Sequence, residues 1–215
     1  MRDRRTQIVE AASGLMSRQG FQQTSIDDVI KHAGLCGKSH FYHYFRSKEE
    51  LGYAVLTHQF ERFTERGLAI LQEPKMAPPD RLNHFIDAIV ARHAEHGCQG
   101  GGPCGGNLVT EMSDSHEGFR ELIDTVFERW AAQIQALLWE ARPQLEENVD
   151  IPQLAHFIIA TLEGAFLMSR VKREINVMEG IAAELKQFVA SRTVAARTPT
   201  AVSTQGQLQL QHSRI

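Results

Sequence analysis

The chain has 215 residues, of which 42% are hydrophobic and 23% are charged, so it can bury a substantial core and has the composition of an ordinary globular protein. No uninterrupted apolar run reaches the roughly 18 residues of a membrane-spanning helix, and the N-terminus lacks the apolar core of a signal peptide. Three cysteines are too few for a disulfide-based scaffold. We therefore expect a cytoplasmic protein with no membrane partner.

Charge is distributed unevenly along the chain. The formal net charge is −3, which by itself argues against a protein that binds nucleic acid. Residues 1–48, however, contain eight Lys and Arg against four Asp and Glu, a net charge of +4, and residues 49–215 carry −7. A basic head on an acidic body is the asymmetry expected when one end of a protein meets phosphate groups.

Apolar residues at helical spacing predict two helices at the start of the chain. The first covers about residues 4–18. Thr24 and Ser25 can cap the second helix, and Gly34 suits the left-handed residue that ends it. The buried face of the second helix has i, i+3, i+4, i+7 spacing and consists of Ile26, Val29, Ile30 and Ala33.

A short aromatic helix follows around residues 41–45, and Ser47 can cap the helix after it. Two short helices joined by a tight turn that contains glycine form a helix-turn-helix, whose second helix enters the major groove of DNA. The basic segment and the helix-turn-helix coincide, which favours a DNA-binding function over a chance imbalance of charge.

Helical periodicity continues through most of the remaining chain. Further helices are predicted at about residues 47–72, 79–97, 107–113, 116–141, from 151, and around 178–189. A glycine-dense stretch separates two of them, and the residues after about 194 show no apolar stripe, so we expect a disordered tail. The pattern predicts an all-α fold of about nine helices, divided into a helix-turn-helix DNA-binding domain (1–48), a helical body (49–193) and the tail (194–215).

The first quarter of the sequence resembles the DNA-binding domain of TetR-family transcriptional regulators. The resemblance covers about residues 3–56 and rests on Ile8-Val9-Glu10-Ala11-Ala12, Gly20-Phe21, Thr24-Ser25-Ile26-Asp27-Asp28-Val29, Gly34, Lys38, Phe41-Tyr42-His43-Tyr44-Phe45 and Ser47-Lys48-Glu49-Glu50-Leu51. The family usually runs Gly-Val-Ser-Lys-Gly-Thr before the aromatic pair. Here the corresponding run, residues 34–40, is one residue longer, with the extra residue near Cys36.

The resemblance implies which residues contact DNA. Hydroxyl groups and lysines suit phosphate oxygens, and Ser39 and His40 begin the second helix, where side chains reach base edges. The alternative is that Tyr42 and His43 are partly core and that Lys48 is a solvated charge. The expected DNA-contacting residues are Thr24, Ser25, Lys38, Ser39, His40, Tyr42, His43 and Lys48.

The last two long helices carry more apolar surface than one neighbouring helix can cover. In the family the corresponding helices pair across a two-fold axis as a four-helix bundle, so that two recognition helices read a pseudo-palindromic operator. A buried central helix in a monomer is the alternative. We favour the homodimer because one short helix-turn-helix seldom supplies enough specific affinity. The expected interface residues are Phe157, Ile158, Thr161, Ile181, Leu185 and Phe188.

The resemblance also implies a small-molecule pocket between the helices of the body. The candidate lining residues are Phe63, Phe85, Cys104, Asn107, Trp130 and Phe166, although the aromatic ones are equally ordinary core residues. By analogy, an effector would tilt the long fourth helix, spread the two recognition helices and lower operator affinity. We therefore expect a ligand-responsive transcriptional regulator, most often a repressor, whose effector the sequence does not identify.

An alternative function is a thiol- or metal-dependent redox-sensing protein. The residues that would serve it are Cys98 and Cys104, with His93 and His96. Five residues separate the two cysteines, more than the roughly two to four typical of zinc sites, so we favour reduced structural or surface thiols and expect neither a metal site nor a cofactor. A general DNA-binding structural protein is a second alternative. The sequence contains no catalytic motif, so we do not expect an enzyme.

Overall fold

The computed structural model describes residues 3–95 and 107–194, apart from the side chains of residues 62, 68 and 107. Within these ranges the regular elements are α-helices, with one 3-10 turn at Arg142–Gln144 and an isolated bridge between Leu145 and Thr193. The prediction of an all-α fold is confirmed. The described helices are α1 (Arg4–Gln19), α2 (Ile26–His32), α3 (Lys38–Tyr42), α4 (Lys48–Leu71), α5 (Pro78–Glu95), α6 (Asn107–Ser115), α7 (Glu117–Glu140), α8 (Ile151–Lys172) and α9 (Ile175–Ser191).

Both ends of α2 are fixed by its own sequence. At the start, the Ser25 hydroxyl accepts a hydrogen bond from the Asp28 N–H at 3.1 Å, and the Asp28 carboxylate accepts one from the Ser25 N–H at 3.0 Å, which completes a capping box. At the end, Gly34 has φ 61° and the Leu35 N–H donates to the Ile30 carbonyl oxygen at 2.9 Å, a Schellman arrangement. The orientation of α2 against the following turn is therefore locally specified.

Buried aromatic rings anchor α3. This helix has only five residues, too few to be stable in isolation. Phe41 and Phe45 have exposed fractions of 0% and 1%, and their ring centroids lie 5.9 Å apart in a core that also contains Ile8, Met16 and Val29. The packing of α3 on α2, and of these aromatic rings into the shared core, thus supplies the stability that its length cannot.

The long helix α4 joins this three-helix head to the body. It packs against α1 of the head and against α5 and α7 of the body. In the body, α7 packs on α8, and α8 packs on α9, which also contacts α5. The short α6 packs on α7 and touches α1, so it is a second connection between body and head.

Backbone hydrogen bonds fasten the end of the described chain to the turn after α7. The Glu146 N–H donates to the Arg192 carbonyl oxygen at 2.9 Å, and the Val194 N–H donates to the Gln144 carbonyl oxygen at 2.8 Å. The body therefore includes residues up to 194. The tail predicted beyond this point lies outside the described residues.

Helix α8 has the length and composition of a membrane-spanning helix, with 22 residues and a mean hydropathy of 1.4. Core helices of soluble proteins have the same properties, so this feature alone does not indicate a membrane protein. One side of α8 is buried against α7 and α9. Its remaining apolar residues form an exposed face.

Candidate DNA-binding surface, dimer face and ligand cavity

Helix α3 presents polar side chains to solvent. Tyr42 is 50% exposed, and Ser39 and His43 are also exposed. These three residues have i, i+3, i+4 spacing, so they lie on one face of the helix. His40 is partly buried, with its ring centroid 5.8 Å from that of Tyr44. Phe41 and Phe45 fill the core, so the alternative that Tyr42 and His43 are partly core applies at most to the side of the Tyr42 ring that packs on Phe41.

Lys38 extends from the start of α3 towards α2. Its ammonium nitrogen lies 3.3 Å from the Asp27 carboxylate, with the two side chains 64% and 67% exposed. An ion pair this exposed contributes about 0–1 kcal/mol, so it can be exchanged for a phosphate contact at little cost. Lys38 therefore remains available to an anionic partner.

Ser25 is exposed, but its hydroxyl belongs to the capping box. The hydroxyl donates to the Asp28 carboxylate at 2.6 Å, in addition to accepting from the Asp28 N–H. The side-chain and backbone hydrogen bonds from Ser25 hold the pKa of Asp28 below its ordinary value, so the carboxylate remains ionised and the cap intact at neutral pH. A Ser25 contact with DNA would reuse a hydroxyl that already stabilises α2.

Thr24 does not lie on this surface. It is 1% exposed, and its hydroxyl donates to the Gly20 carbonyl oxygen at 2.7 Å. The prediction that the Thr24 side chain contacts DNA is wrong, because the hydroxyl closes the turn between α1 and α2. The sequence did not distinguish the two roles, since both need a hydroxyl before the helix.

Lys48 is more confined than a solvated surface charge. Its ammonium donates to the Gln22 carbonyl oxygen at 3.0 Å and lies 4.6 Å from the centroid of the Phe21 ring. Burial lowers the pKa of Lys48 below its ordinary value, while the carboxylates of Glu49 and Glu111 act in the opposite direction. An ammonium has three N–H donors, so Lys48 can bind a phosphate while it keeps its bond to Gln22. A contact between Lys48 and DNA therefore stays a prediction.

Two residues near this surface have roles that were not predicted from the sequence. Arg46 is exposed between α3 and α4 and adds a basic side chain beside the recognition helix. Glu111 on α6 accepts hydrogen bonds from the backbone N–H groups of Phe21 and Gln22 at 2.9 and 2.7 Å. Arg46 is one of the eight Lys and Arg residues of segment 1–48, so the charge of this segment pointed to it. No sequence pattern pointed to the contact of Glu111, because its partners are backbone groups about ninety positions earlier in the chain.

An apolar face lies exposed along α8 and α9. The rings of Phe157 and Phe188 are 4.9 Å apart and are 44% and 40% exposed. A Cβ atom placed on Gly164 or Gly180 would meet no atom within 4 Å, so the surface is also open at these small residues. The other large exposed apolar residues of α8 are Leu167, Met168 and Val171. Such a continuous patch is unusual on a monomer and is typical of an interaction surface.

The buried sides of α8 and α9 correct part of the predicted interface. Ile158 is 0% exposed and Leu185 is 2% exposed, so both are core residues of the protomer and are not available to a partner. Thr161 and Ile181 are partly buried. The sequence could not separate these sides, because α8 is apolar around more than half of its circumference.

A small cavity of about 30 Å³, partly open to solvent, lies between α4, α5, α7 and α8. Phe63, Phe85 and Trp130, three of the candidate lining residues, line it, and their contact with an effector stays a prediction. The indole N–H of Trp130 donates to the Thr64 hydroxyl at 2.8 Å, which satisfies two polar groups of the wall. The cavity is therefore largely apolar, with Gln133 and Glu163 among its polar lining residues.

Of the other three candidate pocket residues, only Phe166 has its side chain within the described residues. Phe166 is buried with its ring 4.5 Å from that of His93 and is not among the lining residues. Asn107 begins α6, and its side chain falls outside the described residues, as does Cys104. The proposed role of Phe166 is wrong because its ring packs into the core beside the cavity.

The possible thiol or metal site is only partly within the described residues. His93 is buried, and its Nε2 lies 3.0 Å from the Ser169 hydroxyl oxygen. Cys98, Cys104 and His96 lie outside the described residues. Within the ranges 3–95 and 107–194, no group of three or more His, Cys, Asp and Glu side chains is placed to hold a metal ion.

The protein has a helix-turn-helix head with an exposed polar recognition helix. The head is joined to a helical body that has a cavity and an apolar face. This combination defines a helical DNA-binding regulator. Comparison with protein families places the chain within a particular family. Residues 8–55 match the model of bacterial regulatory proteins of the tetR family, and residues 78–184 match the C-terminal domain of LmrA/YxaF-like transcriptional regulators. The chain belongs to the TetR family of transcriptional regulators.

Similar proteins agree with this assignment. An uncharacterized HTH-type transcriptional regulator from Lactococcus lactis subsp. lactis is 31% identical over 179 residues, which cover 83% of this chain and 89% of the relative. The HTH-type transcriptional repressor NemR of Escherichia coli K12 is 27% identical over 199 residues, covering 89% and 96%. These relatives favour a DNA-binding regulator over the thiol- or metal-dependent redox protein.

Solved structures confirm the fold along most of the chain. A TetR transcriptional regulator from Chloroflexus aurantiacus J-10-FL has a TM-score of 0.77 and 26% identity, covering 88% of this chain and 96% of that one. The reduced form of Escherichia coli NemR has a TM-score of 0.76, covering 90% and 98%, and its 24% identity supports the fold alone.

Proposed function

We propose that this protein is a homodimeric repressor that binds a pseudo-palindromic operator and is released from it by a small, largely apolar molecule. The observation that carries the proposal is the construction of α3, in which Phe41 and Phe45 are buried so that Ser39, Tyr42 and His43 face solvent. A helix anchored in this way can enter the major groove without losing its core contacts. The surrounding head carries a net charge of +4 within an acidic protein, which suits a polyanion.

The repressor assignment is supported by what similar proteins are called. Both NemR of Escherichia coli and DhaR of Mycobacterium sp. strain GP1 are described as transcriptional repressors, and DhaR is 26% identical to this chain over 171 residues. A repressor must leave its operator in response to a signal. The cavity beside α4 gives such a signal a place to act, because α4 also joins the head to the body.

The test of DNA binding is selection of duplex fragments from the source organism's own genome. The expected result is enrichment of fragments that share an inverted repeat, with binding that weakens steeply as salt concentration rises. Equal affinity for the selected fragments and for random duplex would contradict the proposal and favour a general DNA-binding structural protein.

Substitution of Ser39 or His40 by alanine is expected to change the preferred sequence of the operator. Both residues lie at the start of α3, where a side chain that reads a base edge discriminates by about 1–3 kcal/mol. The measurement is selection from randomised duplexes with wild-type and variant proteins. A uniform loss of affinity with an unchanged preferred sequence would show that these residues do not read bases.

The lining of the cavity indicates the chemistry of the effector. Aromatic and aliphatic side chains form most of the wall, and its described lining residues include no Lys, Arg or His. An anionic molecule would therefore lose its hydration without gaining an opposite charge. We infer that the effector is uncharged or cationic and largely apolar.

Trp130 makes this inference testable by fluorescence. The chain has two tryptophans; Trp130 lines the cavity and is 7% exposed, whereas Trp139 is 56% exposed. In a Trp139→Phe variant, compounds that release the operator are expected to change the emission of Trp130. Gly67→Ala should reduce that response, because a Cβ there would lie 3.0 Å from Phe85 Cε2 and crowd the cavity wall.

Two results would contradict the cavity as the effector site. One is operator release without any change in Trp130 emission. The other is an unchanged effector affinity in Gly67→Ala, provided that this variant still binds the operator as the wild type does.

A further inference from the structure

The turn between α1 and α2 is held by a carboxylate from the body. Glu111 on α6 accepts the N–H of Phe21 at its Oε2 atom and the N–H of Gln22 at its Oε1 atom. Both oxygens of one carboxylate are thus bonded to consecutive backbone donors. Hydrogen bonds to a charged acceptor are roughly twice as strong as those between neutral groups.

The surrounding residues leave little freedom at this junction. A Cβ on Gly20 would lie 2.6 Å from Glu111 Oε2, and Gly20 has φ 91°, a conformation that suits glycine. The Phe21 ring packs edge-on against Phe119 of α7, with centroids 5.5 Å apart. A Cβ on Gly52 of α4 would lie 2.8 Å from Phe21 Cε2. Three body helices therefore enclose this turn of the head.

Lys48 completes the junction from the side of α4. Its ammonium donates to the carbonyl oxygen of Gln22, whose N–H is bonded to Glu111. The two charged side chains therefore hold the same residue of the turn from α4 and from α6. A displacement of α4 relative to α6 would have to stretch one of these bonds.

The two helices that hold the turn are linked differently to the cavity. Helix α4 lines the cavity directly through Phe63 and Thr64. Helix α6 packs on α7, which contributes Trp130 and Ile134 to the same cavity. A molecule that enters between α4 and α7 would therefore change the separation of the elements that hold the head.

We propose that Glu111 is a positioning residue that fixes the orientation of the head for operator binding and couples this orientation to the cavity. The inference rests on the proposed function. Glu111 does not contact DNA in this arrangement, because its carboxylate is occupied by the turn. Its effect on DNA binding is exerted through Phe21 and Gln22, which precede α2.

Glu111→Gln and Glu111→Ala test the inference in the full-length protein. Glutamine keeps the size of the side chain and one acceptor oxygen, and alanine removes both acceptors. Asp114→Asn is the matched control, because Asp114 is an exposed carboxylate on the same helix. The measurements are hydrogen exchange of residues 20–24 and the affinities for the selected operator and for a random duplex of equal length.

The expected result for both Glu111 variants is faster exchange at the turn and a ratio of operator to random-duplex affinity that falls about tenfold, within the range of known coupling between sites. Random-duplex affinity should be retained, because the folded basic head needs no fixed orientation to bind phosphate. Asp114→Asn should match the wild type in all measurements. A purely structural role would lower thermal stability without changing the affinity ratio.

Either of two results would overturn the inference. In the first, the turn exchanges faster but the affinity ratio stays within about twofold of the wild type. In the second, the amides of the turn remain protected in Glu111→Ala. If the wild-type protein binds the selected operator no more tightly than random duplex, the proposed function itself is wrong. If the wild type prefers the operator and the Glu111 variants keep that preference, only the inference about Glu111 is wrong.

Discussion

Replacement of Tyr42 by phenylalanine is expected to weaken operator binding about a hundredfold or more while the protein stays folded. The Tyr42 ring packs edge-on against Phe41, with centroids 5.4 Å apart, and this contact is retained by phenylalanine. Only the exposed hydroxyl is lost. A hydrogen bond to a charged acceptor such as phosphate contributes about 1.5–3 kcal/mol, and a symmetric dimer loses two of them.

The measurement is titration of the selected operator, with circular dichroism to confirm that the fold is unchanged. Tyr53→Phe is the matched control, since Tyr53 lies on α4 with its hydroxyl 3.3 Å from His116 Nδ1 of the body. The control is expected to bind the operator as the wild type does. Full affinity in Tyr42→Phe would show that α3 is not placed against the DNA backbone as we propose.

The head could be predicted from the sequence because its determinants are local. The capping box needs Ser25 and Asp28 three positions apart, and the left-handed end of α2 needs glycine next to its last turn. Apolar spacing then identifies the side of each helix that is buried. Each of these signals lies within a few residues of the structure it specifies.

The roles of individual side chains were harder to predict, because they depend on contacts with residues that are distant in the sequence. Thr24 faces inward to Gly20, although a hydroxyl at that position is equally suited to phosphate. Lys48 is bound to the turn between α1 and α2, which its own helix does not reveal. The contact that Glu111 makes could not have been predicted, since its carboxylate binds backbone N–H groups of a turn about ninety positions earlier in the chain.

The helices of the body could be predicted from the sequence, but which side of each helix is buried could not. Helix α8 has apolar residues on both its buried and its exposed sides, so spacing alone did not separate Ile158 from Phe157. Likewise, Phe85 and Phe166 are both buried aromatic residues, yet only Phe85 lines the cavity. The separation depends on the positions of α5, α7 and α9 around α8.

Replacement of Phe157 by glutamate is expected to convert the proposed dimer into monomers. Phe157 and Phe188 contact each other on the exposed apolar face, and a second copy of this face would cover both rings. An unpaired charge in such an interface costs about 3–5 kcal/mol, and the two-fold axis introduces two of them. Since about 1.4 kcal/mol corresponds to a tenfold change, dimer affinity should fall by roughly four orders of magnitude or more.

Sedimentation velocity at micromolar concentration measures this change, and operator titration measures its consequence. A monomer presents one recognition helix and should lose the specific affinity that a pair of half-sites provides. Leu185→Glu would not serve, because Leu185 is buried within the protomer and its replacement would test folding. Ala136→Glu is the control, since it places the same charge on an exposed position of α7. A wild type that is already monomeric, or a Phe157→Glu variant that remains dimeric and binds the operator fully, would show that the face on α8 and α9 has another occupant.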